Sequence, residues 1–171
     1  LVGSEMCIRD RWKPHVTVAA VIEQEGRFLL VEEHTPEGLR LNNPAGHLDP
    51  GESPDQGCSR EVLEETAYAF APTALVGLYM SRQLRPRAQG PEDVTYLRFA
   101  YTGTLGAFDA QRPLDTGIVR TVWLSAEELR ASRDLHRSPL VLQCMEDYLR
   151  GQRYPLGLIY ACLLYTSDAA D

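Results

Sequence analysis

The sequence has no apolar run approaching membrane-spanning length, the most apolar stretches being of the Val16 to Ile22 kind, so a transmembrane protein is not expected. It also lacks a basic surplus: Asp and Glu number 24 against 17 Lys and Arg, a formal net charge of -7. That balance excludes a broad surface for nucleic-acid polymers or anionic membranes, which are held by excess Lys and Arg. Cysteine is scarce, four in 171 residues and none in CxxC spacing, which excludes a zinc cluster and a disulfide framework. Internal repeats, low-complexity tracts and long linkers are missing too. With hydrophobic residues at 44% and charged residues at 24%, one compact domain with a sizeable core is expected.

The two ends differ from the middle. Residues 1–11 (LVGSEMCIRDR) and 161–171 (ACLLYTSDAAD) carry no periodicity that continues into their neighbours. Met6 to Asp10 can be written ATG TGT ATA AGA GAC, followed by AG. The reverse complement, read one frame along, encodes Cys162 to Ser167. Both ends thus resemble one translated sequencing-library adapter flanking a natural insert, and they are set aside from fold reasoning as a tag would be. The single natural domain is then expected over residues 12–160. Without the ends the acidic count drops from 24 to 20 and the basic count from 17 to 15, a net charge of -5, and Cys58 and Cys144 remain. No signal peptide is visible, so a reducing cytoplasm is the expected location.

Along the middle, His15 to Gln24 reads as a strand rich in branched residues, Glu25-Gly26 as a turn, and Arg27 to Glu33 as the returning strand of a hairpin. Thr35 to Asp49, rich in Pro, Gly and Asn, reads as a long loop with a short strand at Leu39 to Leu41. Ser53-Pro54-Asp55-Gln56 is a helix start, and the helix should run to about Thr66. Leu75 to Arg82, Tyr96 to Leu105 and Ile118 to Leu124 read as strands, the first two separated by the polar stretch Arg85 to Asp93. Ser125 to Glu128 is a capping box opening a short helix. Pro139 to Gly151 is a final amphipathic helix, with Leu140, Val141, Cys144, Met145, Tyr148 and Leu149 expected inside. The mixture predicts an α/β protein, a mixed β-sheet sandwiched between α-helices.

The informative stretch is GHLDPGESPDQGCSREVLEETAY, Gly46 to Tyr68. Glu61, Glu64 and Glu65 fall within about one third of a helix circumference, where like charges repel. A hard divalent cation relieves that repulsion, since Mg²⁺ takes a few carboxylates plus substrate phosphates. Gly57, in the helix interior, costs about 1 kcal/mol relative to Ala and suggests clearance for metal, water or phosphate.

The stretch resembles the Nudix box of the Nudix hydrolases: a Gly, five residues, a Glu, seven residues, then R-E-U-x-E-E-x-G-U, with U bulky and apolar. Gly46, Glu52, Arg60, Glu61, Val62, Glu64, Glu65 and Tyr68 match. Ala67 stands where the family has Gly, at the left-handed end of the helix, where a Cβ costs of order 1 kcal/mol. The resemblance implies the Nudix fold and metal-dependent hydrolysis of a diphosphate linked to another group. Glu64 and Glu65 would be metal ligands, Glu61 a ligand or an orienting and base-like partner, and the Gly46 carbonyl a further ligand. Arg60 would hold a Glu in place, and the cofactor would be Mg²⁺, with Mn²⁺ as substitute. Glu92, Asp93 and Asp115 are candidates for a base or extra ligand from a later loop.

KPHVTVAAV from Lys13, NNPAGHLDPGES from Asn42, RSPLV from Arg137 and GQRYPL from Gly151 are similar to one bacterial branch of the family. Its phosphatases act on nucleoside tri- and diphosphates and on hydroxymethylpyrimidine diphosphate, a thiamine precursor. This implies a small enzyme of broad specificity, for which a monomer suffices, releasing orthophosphate from small-molecule substrates. The rival readings are a pyrophosphohydrolase that sanitises nucleotides, an ADP-ribose or dinucleoside polyphosphate hydrolase, and a binding module without catalysis. For substrate binding, His47, Arg82 and Arg85 are the candidates, with Arg87 as a further clamp and Tyr79, Tyr96 and Phe99 as rings to stack on a base. His15 is expected to be a hydrogen-bonded structural residue.

Overall fold

A computed structural model describes residues 12–85 and 90–163 of the chain. Its strands are β1 (His15–Ala20), β2 (Glu23–Gln24), β3 (Arg27–Thr35), β4 (Gly38–Asn42) and β5 (Ala45–His47), followed by α1 (Pro54–Thr66), β6 (Tyr68–Arg85), β7 (Glu92–Phe108) and β8 (Ile118–Ser125). Helices α2 (Ala126–Ala131) and α3 (Leu140–Leu149) close the order. The strands form two sheets: β5-β1-β7-β6, mixed because β1 and β7 run parallel, and an antiparallel sheet in which β3 pairs with β2, β4 and β8.

The expected single strand from His15 to Gln24 is broken at Val21 and Ile22, because the chain changes sheets there. Val21 donates its N–H to the Tyr101 carbonyl of the first sheet, and the Ile22 carbonyl accepts from Leu29 of the second. The following turn is as expected, with Glu25 and Gly26 both at positive φ (51° and 80°), the backbone that matches the twist of a two-residue hairpin. Two strands are longer than their apolar cores: β6 and β7 pair outward as far as Arg85 opposite Glu92. In the long loop the expected short strand is β4, and β5 is an additional one. Three residues are too few to carry a period-2 signal.

Period-2 alternation decides the layers. Leu29, with Val18, Ile22, Leu75 and Tyr101, packs with Cys58 and Val62 of α1. Phe28 and Leu30, with Val21, Val76 and Ala100, pack with Leu129 of α2 and Val141, Cys144 and Met145 of α3. Helices therefore cover opposite strand faces, as the α/β expectation required, and each fully buried Leu, Val or Phe contributes roughly 1.5–3 kcal/mol. On α3, Leu149 is exposed rather than inside, and Asp147 is buried. Asp147 accepts hydrogen bonds from Tyr79 Oη, Gln143 Nε2 and Arg150 Nη1 at 3.0, 3.0 and 2.8 Å, which satisfies the buried carboxylate. No helix among the described residues is long and apolar enough to cross a membrane.

Candidate active site

Helix α1 is held at both ends by the residues that announce it. Ser53 donates its N–H to Gln56 Oε1 at 3.0 Å, and Pro54 occupies the first helical position. At the other end Ala67 adopts φ 59°, ψ 13° and donates its N–H to the Leu63 carbonyl at 3.0 Å. The left-handed cap therefore forms in spite of the Cβ.

Between these ends Arg60 is a hub. Its Nε and Nη2 donate to Glu52 Oε2 and Oε1 at 3.0 and 2.7 Å. Nη1 donates to Glu61 Oε1 at 2.8 Å and to Glu64 Oε2 at 3.0 Å, and Nη2 also reaches the His47 carbonyl at 2.9 Å. One guanidinium thus gathers three carboxylates and the loop after β5, the fork geometry that Lys cannot reproduce. It offsets much of the repulsion expected among the acids of this face. Glu65 is turned elsewhere: Oε2 accepts from the Ala45 N–H at 2.8 Å.

Two glycines make room for this arrangement. A Cβ on Gly46 would overlap the Glu61 carboxylate, so only Gly lets β5 lie against the acid. A Cβ on Gly57 would stand 2.6 Å from Glu52 Oε1 and 3.1 Å from Leu48. The clearance at Gly57 is therefore for the Glu52 side chain and its loop, not for metal, water or phosphate.

Burial governs the titration of the site. Desolvation raises the Glu61 carboxyl above its ordinary range despite Arg60. Glu65 is pushed up to about 8 by burial first, opposed by the Ala45 N–H and reinforced by the charges of Glu61, Glu33 and Asp115. Glu52 goes down, chiefly through its hydrogen bond with Arg60. Among the described residues no three carboxylate, imidazole or thiol side chains surround one point. The donors nonetheless suit a hard cation: Glu61 and Glu65 are buried oxygen donors one turn apart, and Arg60 bonds Glu61 while Glu65 accepts from the Ala45 N–H.

A pH dependence follows. An unfolded Glu titrates near 4.5 and folded Glu65 near 8, so the folded, metal-free protein holds the extra proton between those values. This contribution to stability is complete below about 4.5 and is lost as pH rises through about 8. Melting temperatures in chelator are expected to fall from pH 5 to 8.5, and Mg²⁺ to restore more at the upper end, where the ligands are charged. A chelated Glu65→Gln protein with the same pH slope as wild type would show that the slope comes from elsewhere.

Beside β5 opens a cavity of about 240 Å³, lined by residues that include Gly46, His47, Arg85, Tyr96 and Arg98. Arg85 lies over the Tyr96 ring at 5.2 Å. His47 stands near His15 and Tyr96, with ring centroids 5.8 and 6.1 Å away, and its imidazole is held below its ordinary value by burial and the charges of His15 and Arg85. His15 is exposed and contacts these rings rather than being a bonded structural residue. Arg82 is not brought here. Ser81, Gln83 and Arg85 line the cavity, so alternation turns Arg82 to the other face, where it grips Asp93 at 2.6–3.2 Å. Arg87 lies outside the described residues.

Of the loop acids, Asp93 is committed to Arg82, whereas Asp115 is fastened to α1 by its N–H on the Glu64 carbonyl at 2.9 Å. The proposed stacking rings divide likewise: Tyr96 lines the cavity, Tyr79 is bonded to Asp147, and Phe99 packs beside the α1-facing cluster.

Residues 13–144 match the NUDIX domain. The chain belongs to the Nudix family. It is 37% identical over 148 residues to Phosphatase NudJ of Escherichia coli K12, covering 86% of this chain and 92% of the relative. A NUDIX hydrolase structure from Nitrosomonas europaea is 53% identical, with a TM-score of 0.78 over 88% of this chain and 98% of that one. A MutT NUDIX hydrolase from Burkholderia pseudomallei, 21% identical with a TM-score of 0.61, shares the fold. This Nudix chain is a hydrolase of phosphorus anhydride bonds, as its box implied, and divalent metal use is general in the family.

Proposed function

We propose that the chain is a Mg²⁺-dependent Nudix phosphatase, with Mn²⁺ able to substitute, that hydrolyses nucleoside tri- and diphosphates and hydroxymethylpyrimidine diphosphate with release of orthophosphate. The observation that carries this reading is the Arg60 hub. It holds Glu61 and Glu64 of α1 together with Glu52 of the preceding loop, with Glu65 beneath Ala45, next to the cavity beside β5. Glu64 and Glu65 are proposed as metal ligands, Glu61 as ligand or base-like partner, and the Gly46 carbonyl as a further donor. When bound, the cation neutralises charge on phosphate oxygens and acidifies a water.

The chain's own residues do the positioning. Arg60 fixes the carboxylates, the backbone of Ala45 fixes Glu65, and His47 and Arg85, which line the cavity, are proposed to meet phosphate oxygens. Phosphatase NudJ carries the same general activity in its name. Buried free thiols at Cys58 and Cys144 accord with a cytoplasmic location. Ile159 packs against the α1-facing cluster while Tyr160 and Leu163 are exposed, which supports residues 12–160 as the natural domain. Leu164 lies outside the described residues.

A Mg²⁺-supported panel of nucleoside triphosphates, nucleoside diphosphates and hydroxymethylpyrimidine diphosphate tests the proposal by separating orthophosphate from pyrophosphate. Orthophosphate is expected throughout. Pyrophosphate as the product would identify a pyrophosphohydrolase instead, and no release from any substrate would defeat the reading.

A further inference from the structure

Strand β6 ends the first sheet, in the order β5-β1-β7-β6. Among the described residues its outer side is taken at one point, where Leu75 and Tyr154 exchange backbone hydrogen bonds at 2.9 and 2.8 Å. From Gly77 to Arg85 the strand runs on against β7 without a register shift, so a long, regular edge stays open. Such an edge is a template for another strand, and proteins usually blunt it with a bulge, a proline or outward charges. Gly77 to Leu84 has no proline, and its single charge, Arg82, is neutralised within the sheet by Asp93 of β7 at 2.6 Å. Leu78, Met80 and Leu84 share the face of Arg82 and are 55%, 71% and 67% exposed.

The order of side chains along this edge suits a second copy of itself. A two-fold axis pairs an edge strand with its own image, antiparallel, so that residue i meets j and j meets i. Only residues whose backbone groups point outward alike can pair, which places the axis on a residue rather than between two. An axis on Arg82 would set two guanidinium groups face to face. An axis on Met80 would set Leu78 against Arg82 of the second copy and run the pairing toward Leu75, where Tyr154 is already seated. An axis on Ser81 avoids both. It sets Leu78 opposite Leu84 on either side of the axis and Met80 beside the aliphatic stem of Arg82, whose charge stays with Asp93. Leu84 of the second copy then arrives beside Leu78, where a cavity of about 360 Å³ is also walled by Tyr154 and Leu158.

We propose that the outer edge of β6 is a self-association surface, on which two copies of the chain pair antiparallel about Ser81 and join their first sheets into one. The pairing uses the whole open edge from Gly77 to Arg85 and ends before the Leu75–Tyr154 bridge. Ser81, Gln83 and Arg85 line the cavity beside β5 from the other face of the same strand, so the contact braces a wall of the candidate active site without covering it. The two-fold axis stands perpendicular to the joined sheet and keeps both cavities on one face of it.

Sedimentation equilibrium of the full chain over a concentration series tests the pairing. The mass of two chains is expected at high concentration, falling toward one chain on dilution. Leu78→Glu and Leu84→Lys, each alone, place a charge opposite a leucine at two symmetric points and are expected to weaken association at least about tenfold. Combined in one chain, the two changes put opposite charges across from each other twice, and association is expected to return. Both positions are more than half exposed, so the fold tolerates the changes, and far-UV circular dichroism of each variant checks that it does. A single chain at every concentration overturns the proposal. Association that neither single variant weakens places the contact elsewhere, the exposed Leu163 end included, and overturns it as well. Weakening by both single variants without recovery in the double variant overturns the pairing about Ser81. None of these outcomes bears on hydrolysis, so the phosphatase reading stands or falls separately.

Discussion

Glu65→Gln is expected to lower kcat by roughly two to four orders of magnitude in saturating Mg²⁺ and to leave the fold intact. The substitution is nearly isosteric, and the amide oxygen can still accept from the Ala45 N–H, which lies 2.8 Å from Glu65 Oε2. What it removes is the charge. Burial already makes that charge expensive, to the point that Glu65 holds its proton to about pH 8 without metal. Replacing it by a neutral group should therefore raise the stability of the chelated protein at pH 8, by up to a few kcal/mol. A loss of turnover with a gain in metal-free melting temperature is the signature of a residue whose burial serves binding of a cation rather than packing. Wild-type turnover in this variant would remove Glu65 from the metal-ligand set.

How much of this was legible in the chain depends on sequence distance. The start of α1 was written in Ser53, Pro54 and Gln56, its end in the mismatch at Ala67, and its acidic face in the spacing of Glu61, Glu64 and Glu65. All are local, within a few turns of one helix. The cavity was not legible, because Thr17, Glu33, Asn42 and Arg98 come from four strands. The parallel pairing of β1 with β7, Thr17 opposite Arg98, spans most of the domain, and no short-range pattern encodes it. A weaker signal was present: Arg98 interrupts the apolar run of YLRFAY, where an enclosed charge calls for a purpose. Arg82 and Arg85 show the converse. Their composition is the same, but strand alternation sends one to Asp93 and the other to Tyr96. Gly57 stands out in the sequence as an unwelcome helical glycine, yet the space it leaves belongs to Glu52.

Arg60→Ala is expected to be the most damaging single change to site and stability together. Its side chain is 27% exposed, and its partners Glu52 and Glu61 are 16% and 10% exposed. Breaking a fully buried ion pair costs about 3–5 kcal/mol, and the partial exposure here reduces that to about 2–3 kcal/mol at pH 7. Activity should fall at least a hundredfold, since Glu61, Glu64 and the His47 carbonyl all lose the group that orients them. The loss depends on pH in a definite direction. The hydrogen bond from Arg60 lowers the Glu52 carboxyl, so that stabilisation is present above the unfolded value of about 4.5 and vanishes as pH falls through the lower folded value. Without Arg60, burial drives Glu61 still higher, and its protonation relieves the variant further. Urea denaturation at pH 7 and pH 4 should therefore show a wide gap between wild type and Arg60→Ala at neutrality and a narrow one in acid. Arg60→Lys restores the charge but not the fork, so it should recover part of the stability and little of the turnover. A Lys variant with full turnover would mean that a single positive charge, and not the five-bond geometry, is what this helix face requires.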